Sequence, residues 1–378
     1  MPYGLFEVPG SQCYIPSMGS LRLNRFFKQI AAYLICIPAL GMPYRARIVY
    51  ARGLSAVLHA PFKFFGAVAY FLLDRLNIEP ERDTPIEQQR TQIESPLPRV
   101  PDGRIAVLYS GGTDSTCAAA LMAREAREVH LLTFFEYATR HSPVPTANVE
   151  RLRRHFTSVQ FLHRTIPVDT LVRFFSYERY GHIVRRYGLL ALSTPGFSSL
   201  SWHVRTIVYC REHGITRVAD GLTRELMHFP GHMDGTVELL RDLYAEFGIS
   251  YENPVRDWPT PPDRQFIDQV LVNRHDGAFF LGDSAVAQNK TTGRYLFELG
   301  IFPRPDIKGS RLDFEMQHDC YPFSLYNVVA FWAYLSREPY VVFAERVRIL
   351  MNEKVAVAGG LLREYARDPS GALRTMLV

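Results

Sequence analysis

Past residue 103 the chain alternates short continuous apolar runs with longer stretches of helical periodicity. Residues 104–109 (RIAVLY), 129–135 (VHLLTFF) and 159–168 (VQFLHRTIPV) read as strands, separated by helices over 114–126 (DSTCAAALMAREA) and 147–156 (ANVERLRRHF). Residues 199–214 (SLSWHVRTIVYCREHG) read as a helix stopped by Gly214, and 216–222 (TRVADGL) as a strand entering a glycine turn. Such alternation predicts an α/β fold, a parallel sheet with helices on both faces. Beyond about residue 235 the pattern is mostly helical, and no internal repeat or low-complexity tract interrupts it.

The region before the first strand is different. Residues 1 to about 80 hold two apolar, aromatic and basic stretches, RFFKQIAAYLICIPAL and LSAVLHAPFKFFGAVAYFLLDRL. They read as an accessory helical layer. An interfacial membrane anchor is the alternative, because Arg25, Lys28, Arg45, Arg47, Arg52 and Lys63 flank the apolar faces. Residues 77–103 are rich in Pro, Gln and charge, which marks a linker. The expected organisation is therefore 1–100 accessory helices and linker, 101–235 the sheet domain, and 236–378 a mostly helical region contributing to substrate binding and catalysis.

Composition narrows the class. With 47% hydrophobic and 21% charged residues over 378 positions, neither a disordered chain nor a polytopic membrane protein is expected. The net charge of +5, with arginines such as Arg151, Arg153, Arg154, Arg185 and Arg186, suits a polyanion of nucleotide size without requiring nucleic acid. The five cysteines, at 13, 36, 117, 210 and 320, form no CxxC pair, which argues against a disulfide scaffold or a four-thiolate zinc site. The first long uncharged run, between Lys28 and Arg45, is broken by Pro38, Gly41 and Pro43, so the expectation is a cytoplasmic protein with reduced thiols.

The densest chemistry lies where the first strand meets the first helix. Ser110, Gly111, Gly112, Thr113, Asp114 and Ser115 (SGGTDS) provide two glycines that let backbone approach an anion, hydroxyls to donate to it and the N–H groups of a starting helix. A turn capped by Ser115 is the bland alternative. The loop has neither the lysine of a Walker A sequence nor the spacing of a GxGxxG fingerprint. Its SGGxDS form, between strand and helix, resembles the PP-loop of the ATP pyrophosphatase superfamily, adenine nucleotide alpha hydrolase-like proteins with a Rossmann-like sheet.

That resemblance implies ATP cleavage between the α and β phosphates, AMP left on a substrate oxygen, and displacement of AMP by nitrogen or sulfur. It implies that Ser110, Gly111, Gly112, Thr113, Asp114 and Ser115 hold the pyrophosphate end of ATP, with Asp114 near Mg²⁺. It also implies adenine contacts from the backbone of Thr133, Phe134 and Phe135, and a second glycine turn near the phosphates at Asp220, Gly221, Leu222 and Thr223. Arg224 would reach a phosphate or form a surface ion pair with Glu225 or its neighbours.

For the second half-reaction, Cys320 follows a stretch, TTGRYLFELGIFPRP, similar to a segment of the 7-cyano-7-deazaguanine synthases. No cysteine follows it, so no zinc cluster is expected. Beside His318 and Asp319 its thiol suits a sulfur carrier or nucleophile. Cys117, on the first turn of the phosphate-loop helix, is a second candidate against a buried small side chain, and Cys210 a pairing thiol of the kind found in tRNA thiolases or a core residue. His228 and His318 lack metal-site spacing. Residues 173–188 (RFFSYERYGHIVRRYG) either stack a heterocycle through Arg173, Tyr177, Arg179, Tyr180 and Arg185 or form an amphipathic helix with an aromatic core face.

The leading expectation is adenylation of a small, nucleobase-like substrate and replacement of its oxygen by sulfur through a cysteine relay. A nitrogen ligase making an amide or nitrile, and a non-catalytic nucleotide-binding module, are the alternatives. Pro2 after Met1 speaks against an N-terminal cysteine glutaminase, leaving ammonia free or delivered. Expected partners are the small-molecule substrate, a sulfur- or ammonia-donor protein and a second copy in a homodimer, with tRNA ranked below a small molecule.

Overall fold

The computed structural model describes residues 103–136, 145–178, 180–258, 291–305, 329–335 and 337–377, with a few isolated positions elsewhere. Cys13, Cys36, Cys320, His318 and the whole of the two N-terminal stretches lie outside the described residues. Tyr50 is described and packs against the larger hydrophobic core. Among the described residues no helix is long and apolar enough to cross a membrane.

The chain builds β1 (Arg104–Leu108), α1 (Thr113–Met122), β2 (Glu128–Phe135), α2 (Thr146–His155) and β3 (Gln160–Pro167). A short α3 (Asp169–Val172), a π-helical turn (Arg173–Tyr177) and α4 (Tyr180–Tyr187) follow, then α5 (Thr194–His213), β4 (Arg217–Asp220), α6 (Asp234–Glu246) and β5 (Ser250–Glu252). After these come α7 (Thr292–Glu298), α8 (Tyr340–Arg367) and α9 (Ala372–Met376). The five strands form one parallel sheet in the order β3-β2-β1-β4-β5. The expected α/β class with helices on both faces is what forms.

Two apolar faces explain the continuous apolar runs. Successive strand residues point to opposite sides. Ala106, Leu108, Leu132 and Val218 enter a core with α5, α6 and α8, whereas Ile105, Val107, Leu131 and Ala219 enter one with α1, α2 and α7. Long α8 buries Phe343, Val347, Leu350, Met351, Val355, Ala358 and Leu362, a helical stripe against the first of these cores.

Three local features sharpen the expectation, each for a physical reason. Helix α5 begins five residues earlier than the apolar pattern suggests, because Pro195 fits a first helical turn and its fixed φ favours it. It ends where expected, at Gly214, whose φ of +63° gives the left-handed cap. The region after 235 is not wholly helical: β5, only three residues long, gains its identity from pairing with β4. Residues 173–188 split into the π turn and α4, where Tyr180, Ile183 and Val184 face the core and Arg185 and Arg186 face solvent, the amphipathic alternative.

Candidate functional site

With β2 and β3 on one side of β1 and β4 and β5 on the other, the connections diverge between β1 and β4. In open α/β sheets such a point, at the carboxyl ends of the strands, is where the ligand-binding crevice lies. The SGGTDS loop leaves β1 at this point. Gly111 has φ +81°, and a Cβ on it would lie 1.9 Å from Pro145 Cβ, so only glycine fits. Asn148 of α2, buried beneath the loop, donates its amide to the Gly111 carbonyl at 2.8 Å. Ser110 and Ser115 hydroxyls lie 3.1 Å apart, and that of Ser115 donates to the Gly112 carbonyl. Thr113 is 3% exposed, and its hydroxyl has no hydrogen-bond partner. A buried, unpaired hydroxyl at a helix start, beside two glycines, fits a loop built to receive anionic oxygens.

From β4 comes the second turn. Gly221 sits directly on the loop: a Cβ there would be 2.3 Å from the Ser115 backbone nitrogen and 2.4 Å from its Cα. Buried Asp220 holds the turn, accepting from Leu222 N–H at 3.1 Å, from Asn253 at 2.8 Å and from the Tyr251 hydroxyl. Burial pushes the Asp220 carboxyl above the usual carboxylate range against the pull of these donors. The two glycine turns singled out in the sequence thus meet. Leu222 and Thr223, which complete the second turn, are buried.

A third segment closes on the loop from far down the chain. Thr292, at the start of α7, donates its hydroxyl to Asp114 Oδ1 at 2.5 Å, and Arg124, in the turn after α1, reaches the Tyr295 hydroxyl at 3.1 Å. On the other flank β2 outruns β1. The β1–β2 register ends at Leu108↔Leu132 while β2 stays paired with β3 as far as Phe135↔Pro167, so the backbone edge of Thr133, Phe134 and Phe135 beside the loop has no β1 ladder partner. The Thr133 hydroxyl donates to the Tyr109 carbonyl at 2.7 Å, and the Phe134 ring stacks on Trp202.

Arg224 is engaged elsewhere than the loop: it pairs with Asp257 and, at 3.2 Å, with Asp234, which also binds Arg256 at 2.5 Å. That is the ion-pair alternative, with these aspartates as partners. Cys117 and Cys210 are both 0% exposed, in different cores, and burial pushes the Cys210 thiol up to about 12. Cys117 therefore takes its buried-side-chain alternative. The His228 carbonyl accepts from the Tyr326 hydroxyl. Among the described residues no group of three or more His, Cys, Asp or Glu is arranged to hold a metal.

Sequence reasoning missed Asn148, Thr292 and Glu136. Glu136 follows β2 at the same sheet edge, buried, and accepts from Ser198 Oγ at 3.0 and 2.9 Å. Burial, with the Asp169 charge adding to it, raises its carboxyl from the ordinary 4.5 to about 7. The folded protein then holds this proton more tightly than the unfolded chain. The group's contribution to stability is fully present below pH 4.5, is lost as pH rises to about 7, and is flat above. At about 1.4 kcal/mol per unit the loss is about 3 kcal/mol. Glu136→Gln is expected to remove that slope, measured by urea unfolding at pH 5 and pH 8; an unchanged slope would assign it to other groups.

Residues 104–177, from β1 through the π-helical turn, match the family model of the queuosine biosynthesis protein QueC. No curated protein matches the chain.

Proposed function

Because this chain belongs to the PP-loop ATP pyrophosphatase superfamily, we propose that it binds ATP across the β1–β4 crevice and adenylates a small, nucleobase-like acceptor. The acceptor oxygen attacks the α phosphorus, the bond to the β-phosphate oxygen breaks, and pyrophosphate leaves. A nucleophile then attacks the activated carbon, and AMP departs with the oxygen. The observation that carries this reading is the Gly221 turn seated against the backbone of Asp114 and Ser115, next to the unpaired Thr113 hydroxyl.

In this reading Ser110, Thr113 and Ser115 donate hydroxyls to the pyrophosphate oxygens, and Gly111 and Gly221 let the loop pack against Pro145 and the β4 turn in the shape that receives them. The backbone edge of Thr133, Phe134 and Phe135, beyond the β1 ladder, receives adenine. Mg²⁺ fits this donor set, because that ion is commonly held by one or two carboxylates plus substrate phosphates and needs no all-protein cage; Asp114 is the carboxylate. When bound it neutralises charge on the leaving pyrophosphate.

For the second step a nitrogen nucleophile is favoured over a cysteine relay. Neither Cys117 nor Cys210 reaches the surface. Of the three candidate thiols, Cys320 is then left for sulfur transfer. Incubation with Mg²⁺-ATP and a metabolite extract, with ammonia or sulfide, is expected to give AMP and pyrophosphate, and Asp114→Ala to reduce AMP formation at least ~100-fold. Conversion to ADP would overturn the adenylation reading. Cys320→Ala with full activity supports nitrogen; loss of product with intact ATP binding supports the sulfur relay.

A further inference from the structure

We propose that Thr292 is a positioning residue for Asp114, holding its carboxylate in the orientation that receives the cation of Mg²⁺-ATP. This rests on the reading of Asp114 given under Proposed function. Thr292 is 3% exposed and donates to Asp114 Oδ1 across a separation of 178 residues. A charge-assisted hydrogen bond of this length is among the stronger kinds. A carboxylate fixed on one oxygen meets a cation without losing rotamer freedom, the benefit that packing and hydrogen-bond support give to any metal ligand.

The Thr292 hydroxyl is not what docks α7. Its neighbour Thr291 caps the helix, accepting from Arg294 N–H at 3.2 Å. Gly293 lies against the Pro305 carbonyl, so close that a Cβ would stand 2.8 Å from that oxygen. Tyr295 is bonded to Arg124, and Tyr295, Leu296, Ile301 and Phe302 enter the core that contains α1. With the helix seated by these contacts, one hydroxyl is left to act on the loop acid. Removing it is expected to change cation binding more than folding.

Thr292→Val keeps the shape and removes the donor; Thr292→Ser keeps the donor. Mg²⁺ titrated calorimetrically into each protein with α,β-methylene-ATP, which resists cleavage between the α and β phosphates, reads the cation step without turnover. The valine variant is expected to bind Mg²⁺ roughly tenfold more weakly, with metal-free nucleotide affinity unchanged and the serine variant restored to within about twofold. Thr292→Ala serves as the second variant if valine prevents folding. Wild-type Mg²⁺ affinity in the folded valine or alanine protein, or a serine variant as weak as valine, would overturn the proposal. Asp114→Ala separates the two failures. If it retains full AMP formation, the reading of Asp114 falls; if it is inactive while Thr292→Val binds Mg²⁺ normally, only the positioning role falls.

Discussion

Gly221→Ala is expected to cut AMP formation about 100-fold and to lower the unfolding midpoint. The new methyl group would lie 2.3 to 2.6 Å from the backbone of Asp114 and Ser115, atoms that cannot rotate aside as a flexible side chain would. Either the β4 turn or the phosphate loop must move. Overpacking of this sort costs about 1–3 kcal/mol, and a displacement of about 1 Å at a reacting centre costs about 100-fold in rate. Gly360→Ala is the control: it lies within α8, where a Cβ would meet nothing within 4 Å, and should be neutral or stabilising by about 0.5–1 kcal/mol. Thermal melts and product analysis on both variants decide the matter. An active, stable Gly221→Ala protein would mean that the two turns do not pack as described.

Asp220→Ala should give the largest loss of stability, about 3–5 kcal/mol. It would leave the Leu222 N–H, the Asn253 amide and the Tyr251 hydroxyl without their acceptor in a buried place. Each stranded donor costs about 1–3 kcal/mol. The same carboxylate ties the backbone of the turn that carries Gly221, so nucleotide affinity should fall together with the urea midpoint. Asp220→Asn retains an acceptor and should lie between the two. A shift below about 1 kcal/mol for the alanine variant would show that water replaces the lost acceptor.

The contrast between these residues and their neighbours shows what the sequence makes legible. Strands β1 and β2 are buried on both faces, so their apolar runs announce themselves, and SGGTDS is recognisable because strand, glycines and helix start are contiguous. The glycine turn at Gly221 is legible as the end of a strand, but only the resemblance puts it beside that loop. Asn148 reads as a polar position on an amphipathic helix; its burial under Gly111 depends on how α2 lies on the sheet. Thr292 reads as one of two cap candidates in a Thr-Thr-Gly run, since nothing local distinguishes the threonine that caps from the one that reaches Asp114. Glu136 looks like the polar end of a strand. The three residues of β5 carry no periodicity at all. In each case the missing information is a contact between distant segments, which spacing along the chain does not encode.

The phosphate loop and the two segments that press on it are made at very different times. A ribosome that has released β1, β2 and β3 has already produced the loop, yet the turn at Gly221 follows roughly a hundred residues later and Thr292 later still. Such long-range closures are slow relative to local helix formation. A nascent chain stopped before α7 would display the loop's sequence without its neighbour at Asp114. On the proposed reading, the capacity to hold a metal-bound nucleotide therefore waits until Thr292 and its helix have been made, and its appearance during synthesis would time the arrival of α7.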